Sequence, residues 1–181
     1  MTARGNALEA AERGEAFDFE ALFHAWYPRT ARLIARVIRD PARAEELAVE
    51  VFWKLWRHPK AHGEKAGGWL YTTAVRIALN ELRRQARASR YETLSEGAAG
   101  AATPEEARAA AEEQEHVRTV LAVLDRRQAE VLLLRSSDMS YDEVAAALDV
   151  NPASVGSLVS RAQQAFRKEY VKRYGEQEHE R

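Results

Sequence analysis

The chain has 181 residues, 46% of them hydrophobic and 30% charged, which bounds it to one or two helical domains with a real core. Its formal net charge of −1 excludes a uniformly basic nucleic-acid binder, so any contact with DNA requires segregated basic residues or a partner. The absence of cysteine excludes disulfides and thiolate metal sites; the N-terminus carries Glu9, Glu12 and Glu15 instead of a signal core, and no apolar run suits a bilayer, so the expectation is a soluble cytoplasmic protein with no membrane partner.

Residues 1–16 are small and charged and read as a flexible leader. From Phe17 an apolar pattern begins, with Phe19, Leu22, Phe23, Trp26, Leu33, Ile34 and Val37 recurring at helical spacing. Pro28 lies inside this helix and is expected to kink it. Asp40-Pro41 then opens a second helix, Asp supplying the cap oxygen and Pro fitting the first helical position. Its stripe is Ala44, Leu47, Ala48, Val51, Phe52 and Leu55, and it ends before His58-Pro59. Glu46, Glu50, Trp53 and Arg57 fall on the opposite side, with Val49 at its edge. A tryptophan turned from the core beside two glutamates suits a contact surface. It is equally consistent with a ring folded over its own helix or packed under the following loop.

A polar loop with Gly63, Gly67 and Gly68 precedes a third helix, from about Trp69 to Tyr91. Its inner side is Leu70, Ala74, Ile77, Ala78 and Leu82. Trp69 and Tyr71 stand at its start, and Arg76, Asn80, Arg83, Arg84 and Arg87 on its outer side. Aromatic rings beside a basic stripe suit single-stranded nucleic acid, the rings stacking on bases and the guanidiniums meeting phosphates. The alternatives are a core Trp69 and a solvated arginine face. His58 and His62 have the spacing of a helical metal pair, but Pro59 lies between them and only Glu64 offers a third ligand. They read as loop residues, and no cofactor, metal site or nucleophile–base arrangement is indicated.

Residues 92–112 form the expected linker between domains at 17–91 and 113–174. It is rich in Gly, Ala, Ser and Glu, and Thr103-Pro104 restarts a helix near its end. Helices follow over about Gln114 to Leu124 and Arg126 to Arg135. Ser140-x-x-Glu143 is a capping box for a short helix through Leu148, Asp149-Val150-Asn151 makes a turn, and Asn151-Pro152 opens a last helix to about Tyr174. Residues 175–181 are a tail. Two helices on a tight turn form the helix-turn-helix pattern. In the last helix Val155, Val159, Ala162 and Phe166 face inward. Ser154, Ser157, Arg161, Gln164 and Lys168 face outward, where such a motif meets the major groove. A helix-turn-helix used only for packing is the competing reading.

The order of these segments resembles the extracytoplasmic-function sigma factors, from Phe17 to Tyr170. Phe19-x-x-Leu22 with Tyr27-Pro28-Arg29 looks like the opening of region two. Asp40-Pro41-Ala42-Arg43-Ala44-Glu45-Glu46-Leu47 with Glu50-Val51-Phe52 looks like its most recognisable helix. Trp69-Leu70-Tyr71 through Leu82-Arg83-Arg84 looks like the segment that opens and reads the minus-ten element. Leu121-x-x-Leu124, Arg127 to Arg135, Met139 to Ala145, Ser154-Val155 and Ser160-Arg161-Ala162 resemble region four.

The resemblance implies an all-α protein of two small helical domains, a region-two bundle and a region-four helix-turn-helix, joined by a linker that threads toward the polymerase cleft. It implies a non-enzymatic initiation factor whose partners are core RNA polymerase, through its β′ and β subunits, promoter DNA, and in some members an anti-sigma factor. Glu45, Glu46, Val49, Glu50 and Trp53 would meet the polymerase clamp. Trp69, Tyr71, Arg76, Asn80, Arg83, Arg84 and Arg87 would meet the minus-ten strand, and Ser154, Ser157, Arg161, Gln164 and Lys168 the upstream element. Val49 replaces a common Gln, Arg76 a common Asn, and Gly156 and Leu158 common basic residues. These departures keep two alternatives open: a sigma homologue that acts purely by protein interaction, and a stand-alone helix-turn-helix regulator.

Overall fold

The computed structural model describes residues 17–63, 66–92 and 105–175. The expected leader, most of the linker with Thr103 and Pro104, the tail from residue 176 and Glu64 lie outside the described residues. Among those described there are seven α-helices and one short 3-10 turn, with no strand: α1 (Phe19–Ile38), α2 (Pro41–Trp56), the turn at Pro59–Ala61, α3 (Ala66–Glu92), α4 (Glu105–Val123), α5 (Arg126–Arg135), α6 (Tyr141–Leu148) and α7 (Pro152–Tyr174). None of these helices is long and apolar enough to cross a membrane.

Helix starts follow local chemistry. Asp18 accepts a hydrogen bond from Ala21 N at 2.9 Å, Asp40 from Arg43 N at 3.0 Å, Asp125 from Arg127 N at 2.8 Å and Asn151 from Ala153 N at 2.9 Å. The Ser140–Glu143 box is reciprocal: Ser140 N donates to Glu143 Oε2 at 2.8 Å, and Glu143 N donates to Ser140 Oγ at 3.3 Å. The turn of the helix-turn-helix is closed by Asp149 at φ 53°, and Val150 N donates back to Ala145 O at 3.0 Å. α1 runs unbroken through Pro28.

The helix expected to restart after Thr103-Pro104 and the one expected over Gln114 to Leu124 are a single helix: α4 runs without a break from Glu105 to Val123, so the end of the segment read as linker belongs to it.

The inward faces follow the periodicity. Ala44, Leu47, Ala48, Val51, Phe52 and Leu55 of α2 are buried. Phe19, Phe23 and Tyr27 set their rings around Phe52, with centroids 6.3, 4.8 and 6.1 Å away. α3 is the exception, because it is buried on more than one side: Leu70, Ala74, Ala78 and Leu82 are covered, and so are Val75 and Leu79. It packs on α1 and α2 with one side and on α4, α5 and α6 with the other. α5, α6 and α7 close the second half around Val131, Leu134, Val144, Leu148, Val155 and Val159.

Two glycines make opposite demands. A Cβ on Gly67 would lie 2.6 Å from Trp26 Cη2, so the close approach of α1 to α3 needs glycine there. A Cβ on Gly156 would lie 3.6 Å from Tyr141 Cε2, an ordinary contact. Gly67→Ala should therefore destabilise the fold by about 1–3 kcal/mol. Gly156→Ala should stabilise it by about 0.5–1 kcal/mol. Urea unfolding followed by circular dichroism checks both signs.

Candidate nucleic-acid and polymerase interfaces

Three surfaces carry the residues singled out by sequence. The first is the outer face of α2. Glu45, Glu46, Val49, Glu50 and Trp53 are all exposed, Trp53 at 59%. Trp56 belongs to the same stripe at 55% exposure, its ring edge-on to Phe19 with centroids 5.0 Å apart; sequence reading passed over it. Val49, Trp53 and Trp56 follow one another at four- and three-residue steps and so line one face. Acidic groups flank them. Glu46 accepts from Arg43 Nη1 at 2.6 Å, and Glu50 pairs with Lys54 at 3.1 Å. An exposed aromatic row with a charged border suits a protein partner.

Behind this face lies Glu81 of α3, a buried carboxylate at 5% exposure. It accepts two bonds from Arg84, at 3.0 Å from Nε and 2.6 Å from Nη2, and faces Arg43 Nε at 3.7 Å. The hydrogen bonds from Arg84, with the charges of Arg84 and Arg43, hold the Glu81 carboxyl below the usual carboxylate range against the opposing effect of burial. Arg43, shared between Glu46 and Glu81, ties the outer face of α2 to the flank of α3.

The second surface is α3 itself, and it is not the open basic stripe its sequence suggests. Arg76 is half-buried, its Nε donating to Glu130 Oε1 of α5 at 3.1 Å. Arg83 donates to the carbonyls of Ala122 and Leu124 at 3.1 and 2.9 Å, capping the end of α4. Arg84 is exposed but paired with Glu81. Asn80 and Arg87 are exposed. The half-buried Trp69 ring stacks on His58 with centroids 5.9 Å apart, and the half-buried Tyr71 ring meets Trp26 edge-on at 5.4 Å. His62 stacks instead on Phe17, with centroids 3.8 Å apart, and its Nε2 lies 3.0 Å from Leu55 O. The two imidazoles thus have separate partners, and no group of three metal-ligating side chains occurs among the described residues.

The third surface is the start and middle of α7. Ser154, Ser157, Arg161, Gln164 and Lys168 are all exposed. Ser157 Oγ donates to Ser154 O at 2.9 Å, and Arg161 Nε to Ser157 O at 3.2 Å, so both side chains lie back along the helix. Leu158 is half-buried against the core, which accounts for an apolar residue at that position.

Residues 22–88 match the Sigma-70 region 2 family, and residues 114–165 match Sigma-70, region 4. An ECF RNA polymerase sigma factor, SigK, of Mycolicibacterium vanbaalenii is 31% identical over 178 residues, covering 93% of this chain and 90% of that protein. The chain belongs to the ECF family of RNA polymerase sigma factors. SigK of Mycobacterium sp. strain KMS is 30% identical over 130 residues; that match takes in 70% of this chain and spans 62% of the length of that relative. The sigma factor RpoE of Bartonella quintana, solved in complex with the anti-sigma factor NepR, shares the fold at a TM-score of 0.50 and 19% identity, over 87% of this chain and 98% of that one.

The Glu81 cluster makes a prediction about acid stability. Because its folded carboxyl titrates below the ordinary value of 4.5, its contribution is complete above that value and is lost as pH falls through the lower folded one. Glu81→Gln should lower Tm at neutral pH and flatten the fall of Tm over about pH 5 to 3, as read by calorimetry.

Proposed function

We propose that the chain is a transcription initiation factor that binds core RNA polymerase and directs it to promoters. The observation that carries this reading is the succession of a region-2 and a region-4 segment on one chain, with an exposed acidic and aromatic face on the helix that follows Asp40-Pro41. Sigma factors are in general non-catalytic. The residues here are suited to holding a partner and a nucleic acid, and they act in the cytoplasm, where the polymerase works.

In this reading Glu45, Glu46, Val49, Glu50 and Trp53, joined by Trp56, dock on the clamp of the β′ subunit. Region 4 meets the β subunit. Desolvation of the two indole rings supplies affinity, and the glutamates supply orientation and rate of encounter. On α3, Trp69 and Tyr71 offer rings for unstacked bases, while Arg76, Asn80, Arg83, Arg84 and Arg87 offer donors for the non-template strand of the minus-ten element. On α7, Ser154, Ser157 and Arg161 reach base edges or phosphates of the upstream element, and Gln164 and Lys168 follow along the backbone. Affinity of the free chain for DNA is low, because at a net charge of −1 the polymerase must supply most of the electrostatic attraction. The crystallised neighbour is a sigma factor held by an anti-sigma factor, and we include such a protein among the partners of this chain.

The double variant Glu46→Lys, Trp53→Ala tests the docking face. Both side chains are well exposed, at 66% and 59%, so helical content should be unchanged. Binding to core polymerase, read by co-migration on a sizing column and by titration, should weaken at least about thirtyfold. Undiminished binding would move the contact elsewhere.

A further inference from the structure

Part of the arginine face of α3, at Arg76 and Arg83, is occupied by the protein itself. Thr72, Arg76 and Arg83 fall within a narrow arc of the helix, at separations of four and eleven residues. Arg76 and Arg83 bond to the second half of the chain, and Thr72 shares its one hydroxyl hydrogen between that half and its own helix. Thr72 Oγ1 lies 2.9 Å from Ala147 O of α6, while also 2.8 Å from Gly68 O within its own helix. Arg76 Nε donates to Glu130 Oε1 at 3.1 Å, and Arg83 holds the two carbonyls that end α4.

Glu130 is the centre of this contact. It is 2% exposed, and the same Oε1 also accepts from Arg126 Nε at 2.9 Å. A buried carboxylate between two guanidiniums presents Arg76 with an oxygen anion, the group a nucleic-acid phosphate would present. Its partner Arg76 retains 43% side-chain exposure, so the pair lies at the rim of the contact, where a competing anion can reach it.

The rest of the contact is only partly filled, although Leu79, in the same arc of α3, is 1% exposed. Beside Thr72 and Arg76 a solvent-open cavity of about 840 Å³ separates the halves, bordered by Trp26, Tyr71, Met139, Glu143 and Ala147. Faces that leave such a space forfeit the close packing that fixes a core. Polar bonds and an open cavity at the rim of the buried apolar contact give this boundary the make-up of a reversible domain contact.

We propose that the free sigma factor is latched shut on its own strand-reading helix. Glu130 mimics a promoter phosphate at Arg76, and promoter strand and region 4 compete for one face. The masking rests on the assignment of α3 to the promoter strand; the closure itself does not. The latch is one-sided. The outer face of α2 and the exposed side chains of α7 stay uncovered, so polymerase and the upstream element remain accessible while Arg76 and Arg83 of α3 are masked.

Closure is read by energy transfer in the full chain. It has no cysteine, so single cysteines at the exposed positions Lys60 and Gln163 accept a dye pair without competition. Glu130→Gln should lower the transfer efficiency. It should also raise affinity for a labelled single-stranded DNA oligonucleotide about tenfold, the scale of one charge-assisted hydrogen bond. Arg76→Gln, changed on the less buried partner, should lower the efficiency equally with unchanged helical content, which separates opening from unfolding. Unchanged efficiency in both variants overturns the latch, whatever the oligonucleotide does. Efficiency that falls without any gain in oligonucleotide binding overturns the masking and points at the promoter assignment of α3 instead.

Discussion

One helix serves two structures at once. α3 closes the first bundle with Leu70, Ala74, Ala78 and Leu82 and meets the second half with Thr72, Arg76 and Arg83. An amphipathic helix normally turns its polar face to water. Here part of that face turns toward region 4, and the cost of covering Arg76 and Arg83 is offset by matching one to a carboxylate and the other to helix-end carbonyls. Arg118 of α4 reinforces the join by donating to Val37 O and Ile38 O at the end of α1, at 2.9 and 3.1 Å, and to Gln85 of α3 at 2.9 Å.

The same economy governs the charges of region 2. Glu81 is buried, yet Arg84 donates two hydrogen bonds to it, and Arg43, whose Nε stands 3.7 Å from it, binds Glu46 on the outer face. Breaking such a cluster from one side leaves an uncompensated charge, which costs more than the pair contributes when intact. The outer face of α2 is thereby coupled, through Arg43, to the flank of α3. A near-neutral chain can still present basic and acidic faces separately, since much of its charge is spent internally.

Much of this was legible in the residues. The caps at Asp40, Ser140 and Asn151 act over two or three positions, so local spacing reveals them. The buried stripe of α2 is also local, and its six members are those the periodicity names. What escaped depends on partners distant in sequence. Glu130 is 54 residues from Arg76, and nothing in Arg126 to Arg135 marks it as buried. Arg76 and Arg83 look like a solvated or phosphate-binding stripe until α4 and α5 are placed against them. The orientation of Trp53 was undecided for a similar reason: periodicity gives the side of the helix, and only the neighbouring elements decide whether the ring is covered.

The central claim is that this sigma factor makes core polymerase start at defined sites. The most direct measurement is start-site mapping of transcripts made in vitro by core polymerase with the purified chain, on fragments of the source genome. Starts absent with core alone are expected, preceded by two shared sequence elements at a constant spacing, one for α3 and one for α7. Starts no different from those of core alone, from a chain that nevertheless binds the polymerase, would contradict it.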